Sequence, residues 1–193
     1  MKVLLLYILF PLMAFLLHLV YLNLLLRGIP AERKRFIALL NILFYPAVMS
    51  FFVAFFFAWA RGVYGLNILT ALCAGFMGYY LSMLLSLTPF LGPFFREPDM
   101  EFLLLGLFVA MGVFHPSPWK FLVGLGPLLV KRSFLLVLAL VSALIISTLV
   151  KYLISQHLFP YQGKEDALKA AAWSVSLTAA VMGVPVVIFF QML

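Results

Sequence analysis

Long apolar runs, broken by short clusters of charge, proline and glycine, set the pattern of this chain. Val3–Leu26 is apolar almost throughout, and Arg27–Arg35 interrupts it with Gly28, Pro30 and four basic residues. A second run, Phe36–Ala60, carries Pro46 and the phenylalanine-rich stretch Phe51–Phe57, with Trp59 and Arg61 at its far end. A third covers Leu66 to about Thr88, where Pro89, Gly92 and Pro93 stop it. The hydrocarbon core of a bilayer is crossed by about 20 apolar residues in a helix, so each run predicts a membrane span. Within the third, Gly75 and Gly78 follow Ala71 and Ala74 at a spacing of four, which lets another helix backbone approach closely.

Pro98 suits a helix start, and Asp99 and Glu101 then fall in its first turn, where the helix dipole favours negative charge. The predicted fourth helix runs from there to about Phe114, its apolar part long enough to cross, and His115-Pro116-Ser117-Pro118 ends it. Phe121–Val130 is too short to cross a bilayer and is interrupted by Gly124, Gly126 and Pro127. It is apolar all round, which disfavours a helix lying on the headgroups with one wet face. A re-entrant segment sheltered by the bundle is therefore expected, because irregular backbone at membrane depth has to be covered by protein. Ser133–Ile154 is the predicted fifth span. A charged loop follows to Lys169, and Ala170–Leu193 is the last span. Ala172, Ser176 and Ala180 recur every fourth residue there, a small-residue face for tight helix packing. The expected fold is all-α: a polytopic transmembrane helix bundle of about six spans, with a short re-entrant or interfacial segment near residues 117–130, forming a single integral membrane domain over residues 1–193.

Composition agrees with this pattern. Hydrophobic residues make up 66% of the chain and charged residues 10%, against about a quarter charged in soluble domains. The net charge of +7 is carried by lysines and arginines at the predicted helix ends, which points to the lipid bilayer and away from nucleic acid as a partner. By the positive-inside rule the loop 27–35 is cytoplasmic and the N-terminus outside. With Phe121–Val130 not crossing, Lys and Arg divide eight inside (27, 33, 34, 35, 96, 151, 164, 169) to five outside; a crossing would make the split seven to six. Arg33, Lys34 and Arg35 are candidate contacts to lipid headgroups. In a prokaryote this would be a multi-pass protein of the plasma (inner) membrane.

Chemistry is sparse. No HExxH, CxxC, GxSxG or GxxxxGK motif occurs, Cys73 is the single cysteine, and no acid falls inside a predicted span. His18, His115 and His157 lie at different depths or in a loop, which argues against haem or a catalytic zinc. No catalytic residue, metal site or cofactor is expected. His18 and Asn23 are expected to bond neighbouring helices. The polar break supplies the candidate substrate-contacting residues: His115, Ser117, Lys120, Gly124 and Gly126. The expected function is a non-catalytic structural subunit or scaffold of a membrane complex, with a membrane-protein partner or a second copy of the chain. The alternative is a small transporter or channel built on the broken segment 114–127. A filled bundle around His115 and Ser117 fits the first, and a polar vestibule there fits the second.

Overall fold

The computed structural model describes residues 2–28, 40–62, 67–95, 98–153 and 164–193, all helical or in turns between helices. Seven helices of 14 residues or more occur among them: α1 (Lys2–Gly28), α2 (Tyr45–Arg61), α3 (Ile68–Ser86), α4 (Pro98–Gly112), α5 (Pro118–Lys131), α6 (Ser133–Leu153) and α7 (Lys164–Met192), with a four-residue helical turn, Gly92–Phe95, ahead of α4. A π-helical turn, Leu40–Phe44, leads into α2. It widens the backbone just ahead of Pro46, which has no N–H to give to the ladder. The basic loop with Arg33, Lys34 and Arg35 lies outside the described residues, as does the side chain of Asn23.

Five stretches are long and apolar enough to cross a membrane: Leu4–Leu22, Ile42–Arg61, Ile68–Ser86, Ser133–Val150 and Ala172–Met192. The expected count of six is corrected at α4. Its 15 residues rise about 22 Å, short of the roughly 30 Å hydrocarbon core. Proline sets both limits: Pro98 opens the helix, and the His-Pro-Ser-Pro sequence prevents it from continuing past Phe114.

This short helix is the centre of the molecule. Every residue from Phe102 to Val113 is buried. It packs most extensively on α3, then on α7 and α2, and Phe10 and His18 of α1 place their rings 6.3 and 5.0 Å from Phe102. Close approach depends on glycine. A Cβ on Gly78 would lie 2.5 Å from the Leu104 carbonyl oxygen, and one on Gly75 would collide with Ser50 Oγ. α3 therefore presses its backbone against α4 on one side and against α2 on the other.

α1 packs along α7, with Phe10 against Gly183 and Phe15 5.3 Å from Trp173. Ala172 and Ser176 are buried in α7, Ser176 donating to the Ala172 carbonyl at 2.8 Å, while Ala180 is half-buried. Tyr7 donates to Gln191 Oε1 at 2.7 Å, which ties the first turns of α1 to the last turns of α7. α7 begins at Lys164, earlier than the expected Ala170. Glu165 and Asp166 stand in its first turn, where acids favour a helix.

The largest departure from expectation is α5. The stretch expected to be irregular and sheltered is a continuous helix through Gly124, Gly126 and Pro127, and only Phe121 is buried in it. Its outward face carries Trp119, Val123 and Val130 at 73, 65 and 77% exposure. Gly126, Pro127 and Val123 share that open face, so the Val123 carbonyl that Pro127 leaves without a donor is not trapped in the core.

Candidate functional site

A cavity of about 350 Å³ opens where α2, α4, α5 and α7 end and α6 begins, lined among others by Arg61, Phe114, His115, Leu128, Arg132 and Leu193. Local sequence chemistry positions each side chain. Gly62 takes the left-handed conformation (φ 66°) and closes α2 with N–H bonds to the Ala58 and Trp59 carbonyls, which makes Arg61 the last helical residue. The Arg61 guanidinium lies over the rings of Phe114 (5.4 Å) and Phe190 (5.0 Å) and donates to the Phe190 carbonyl at 3.4 Å. Phe190 is itself stacked on Phe57 at 3.9 Å, so the floor under the guanidinium is rigid.

Arg132 is the single residue between α5 and α6. Its backbone N–H bonds to the Leu128 carbonyl, and its own carbonyl accepts from Leu136. Its guanidinium donates to the carbonyls of Met192 (3.1 Å) and Leu193 (3.0 Å), capping the end of α7. A cation is favoured at a helix C-terminus. Among the described residues no Asp or Glu lines the cavity, so the two guanidiniums, with the His115 ring beside them, make a cationic recess with an aromatic floor.

Of the residues singled out in the sequence, His115 lines this cavity, its ring 5.4 Å from that of Phe121. Gly124 is nearby: a Cβ there would lie 3.8 Å from His115 Cε1. Ser117 acts as the N-cap of α5, accepting from the Lys120 N–H at 3.3 Å, with Pro118 following in the first turn. Lys120 and Gly126 point elsewhere. Lys120 is exposed and off the cavity, and nothing stands within 4 Å of a Cβ on Gly126. The cluster around the polar break is thus divided. His115 and Gly124 come together, and Arg61 and Arg132, absent from that set, complete the recess. Both arginines sit at the ends of predicted spans, on the side assigned as outer, and that shared assignment was the available signal.

A second polar locus lies inside the bundle. His18 Nδ1 is 2.8 Å from the Ala14 carbonyl and Nε2 is 2.9 Å from Tyr45 Oη. A carbonyl only accepts, so Nδ1 donates and Nε2 receives the Tyr45 hydroxyl proton. The expected interhelical bond of His18 is therefore made, to α2. Tyr45 stacks obliquely on Tyr21 and Tyr79, at 5.4 and 5.7 Å. Glu101 in α4 is close enough for its carboxylate to act electrostatically on Tyr21 and Tyr79. Among the described residues no group of three or more His, Cys, Asp or Glu is placed to hold a metal ion.

No protein-family model matches the chain, and no curated protein and no solved structure shows significant similarity to it.

Proposed function

We propose that the protein is a non-catalytic multi-pass membrane protein acting as a structural subunit or scaffold of a membrane complex. The observation that carries this reading is the sealed interior: α4 is buried from Phe102 to Val113 against four neighbouring helices. The cavity at Arg61 and His115 reaches Ala110 and Met111, and Leu107 and Phe108 are buried beneath them. A solute entering there meets packed side chains rather than a path onward. α6 supplies the surface for a partner. It packs mainly on α7, and Phe134, Val137, Val141, Ile145 and Leu149 form an exposed stripe along it.

Isolation from native membranes in mild detergent tests the subunit role. A stoichiometric partner should accompany the chain, and tryptophan at Val141 and Ile145 should release it without changing the thermal stability of the purified chain. Recovery of the chain alone, under conditions that keep other membrane complexes intact, would overturn the subunit role.

The proposed topology places both ends of the chain outside, with α4, shorter than the five helices of spanning length, returning the chain through the bundle. The Tyr7–Gln191 bond supports a common side for the two ends, and the Lys and Arg balance supports the orientation. Cysteines placed at 115–120 and at 155–165 should be labelled from opposite sides of the membrane; labelling from one side would sink that arrangement. Transport or conduction through the 114–127 segment is the second reading, favoured only by the cationic recess. Stabilisation by a small soluble anion would move the balance toward it.

A further inference from the structure

The cationic recess does not end at Leu193. An apolar groove of about 270 Å³ runs between α6 and α7, lined among others by Leu135, Ala139, Ser142, Phe189 and Met192. The two meet at one junction. Leu135 follows Arg132 by one turn of α6, and Met192, whose carbonyl accepts from Arg132, is also a groove residue. A helix-end recess with two guanidiniums and, among the described residues, no Asp or Glu therefore adjoins a furrow lined almost wholly by hydrocarbon.

Two-part chemistry of this kind matches an amphiphile. Arg61 and Arg132 lie at helix ends, the level at which lipid phosphates sit, and the groove descends along two helices of spanning length. The bonds to α7 use one N–H of Arg61 and two of Arg132, and each guanidinium has five. Donors remain on both for a phosphate, which arginine recognises with paired N–H groups. The ligand bonds of such a site would also fasten the start of α6 to the end of α7. We infer that the protein holds one anionic phospholipid, with its phosphate between Arg61 and Arg132 beside His115 and an acyl chain along the α6/α7 groove. This is independent of the scaffold reading, because a bound lipid is compatible with either function.

Native mass spectrometry of the full chain, released from detergent and titrated with phosphatidylglycerol or with phosphatidylcholine of the same acyl chains, tests it. One phosphatidylglycerol per chain is expected, bound about tenfold or more tightly than phosphatidylcholine, because both present an ionised phosphate but choline brings a quaternary ammonium that two guanidiniums repel. Arg61→Gln together with Arg132→Gln should erase that preference, whereas Lys120→Gln, a cation off the cavity, should keep it. Ser142→Phe fills the groove and should weaken phosphatidylglycerol while leaving both arginines in place. If the double variant does not survive purification, the groove variant decides by the same criterion. Equal binding of the two lipids, or unchanged phosphatidylglycerol binding in Ser142→Phe, would overturn the assignment. So would displacement of the lipid by millimolar inorganic phosphate, which would mark a soluble-anion pocket without a chain-binding groove.

Discussion

At the residue scale, two buried hydroxyls and the buried imidazole of His18 behave differently, and the difference can be measured. His18 is fully engaged, by Ala14 on its own helix and Tyr45 on α2. Tyr45→Phe removes the proton that Nε2 accepts and should lower stability by about 1 kcal/mol, the usual scale for a hydrogen bond between membrane helices. Unfolding in mixed micelles reads this directly, and an unchanged midpoint would mean the bond carries no weight. Thr70 Oγ1 and Ser82 Oγ are buried without a hydrogen-bond partner among the described residues. Thr70→Val and Ser82→Ala should therefore be neutral or stabilising, because each removes a hydroxyl whose dehydration is uncompensated. A loss above ~1 kcal/mol in either would show that these hydroxyls bond a group beyond the described residues. The interhelical bond of His18 was legible from its isolation in an apolar run. The choice of Tyr45 was not, since partners on different helices are selected by packing rather than by spacing.

At the element scale, glycine offers a paired test. Gly78→Ala places a methyl group against the Leu104 carbonyl and should cost about 1–3 kcal/mol, as overpacking does. Gly126→Ala meets nothing within 4 Å in the middle of α5 and should be neutral or stabilise by about 0.5–1 kcal/mol through helix propensity. Thermal unfolding of the two variants side by side compares them, and equal effects would refute the close approach of α3 to α4. Several element limits could be read in advance, because local chemistry sets them: Pro98 opens α4, the prolines after His115 close it, and Ser133 begins α6. α5 was misread for a tertiary reason. Gly124, Gly126 and Pro127 weaken a helix where its backbone must be self-sufficient, but the weakened carbonyl here lies on the open face. The meeting of Arg61 with Arg132 was legible only as a shared side of the membrane, since one ends α2 and the other precedes α6, and only the end of α7 joins them.

At the scale of the whole molecule, the interior is divided by chemistry. The end carrying Arg61 and Arg132 is cationic and open to a cavity, the middle around α4 is sealed and apolar, and the tyrosines with His18 and Glu101 gather where α1, α2, α3 and α4 meet. Arg132→Ala removes both bonds that cap α7 and hold α6 to it. It should lower the melting temperature more than Arg61→Ala, whose single carbonyl contact is longer. The reverse order in a thermal-shift series would contradict the capping role. The pairing of α1 with α7 has a consequence for biogenesis. α1 has its most extensive contacts with α7, the described helix farthest from it along the sequence, so the bundle stays open on that flank until α7 has been made. The order of insertion makes the wait tolerable. Inside α1, His18 finds Tyr45 as soon as α2 is inserted, whereas the face with Phe10 is apolar and can rest in lipid until α7 arrives, and Tyr7, in the first turns, can keep its hydroxyl at the interface until Gln191 reaches it. A nascent chain arrested before α7 should accordingly be inserted yet protease-sensitive, and gain resistance only when α7 emerges.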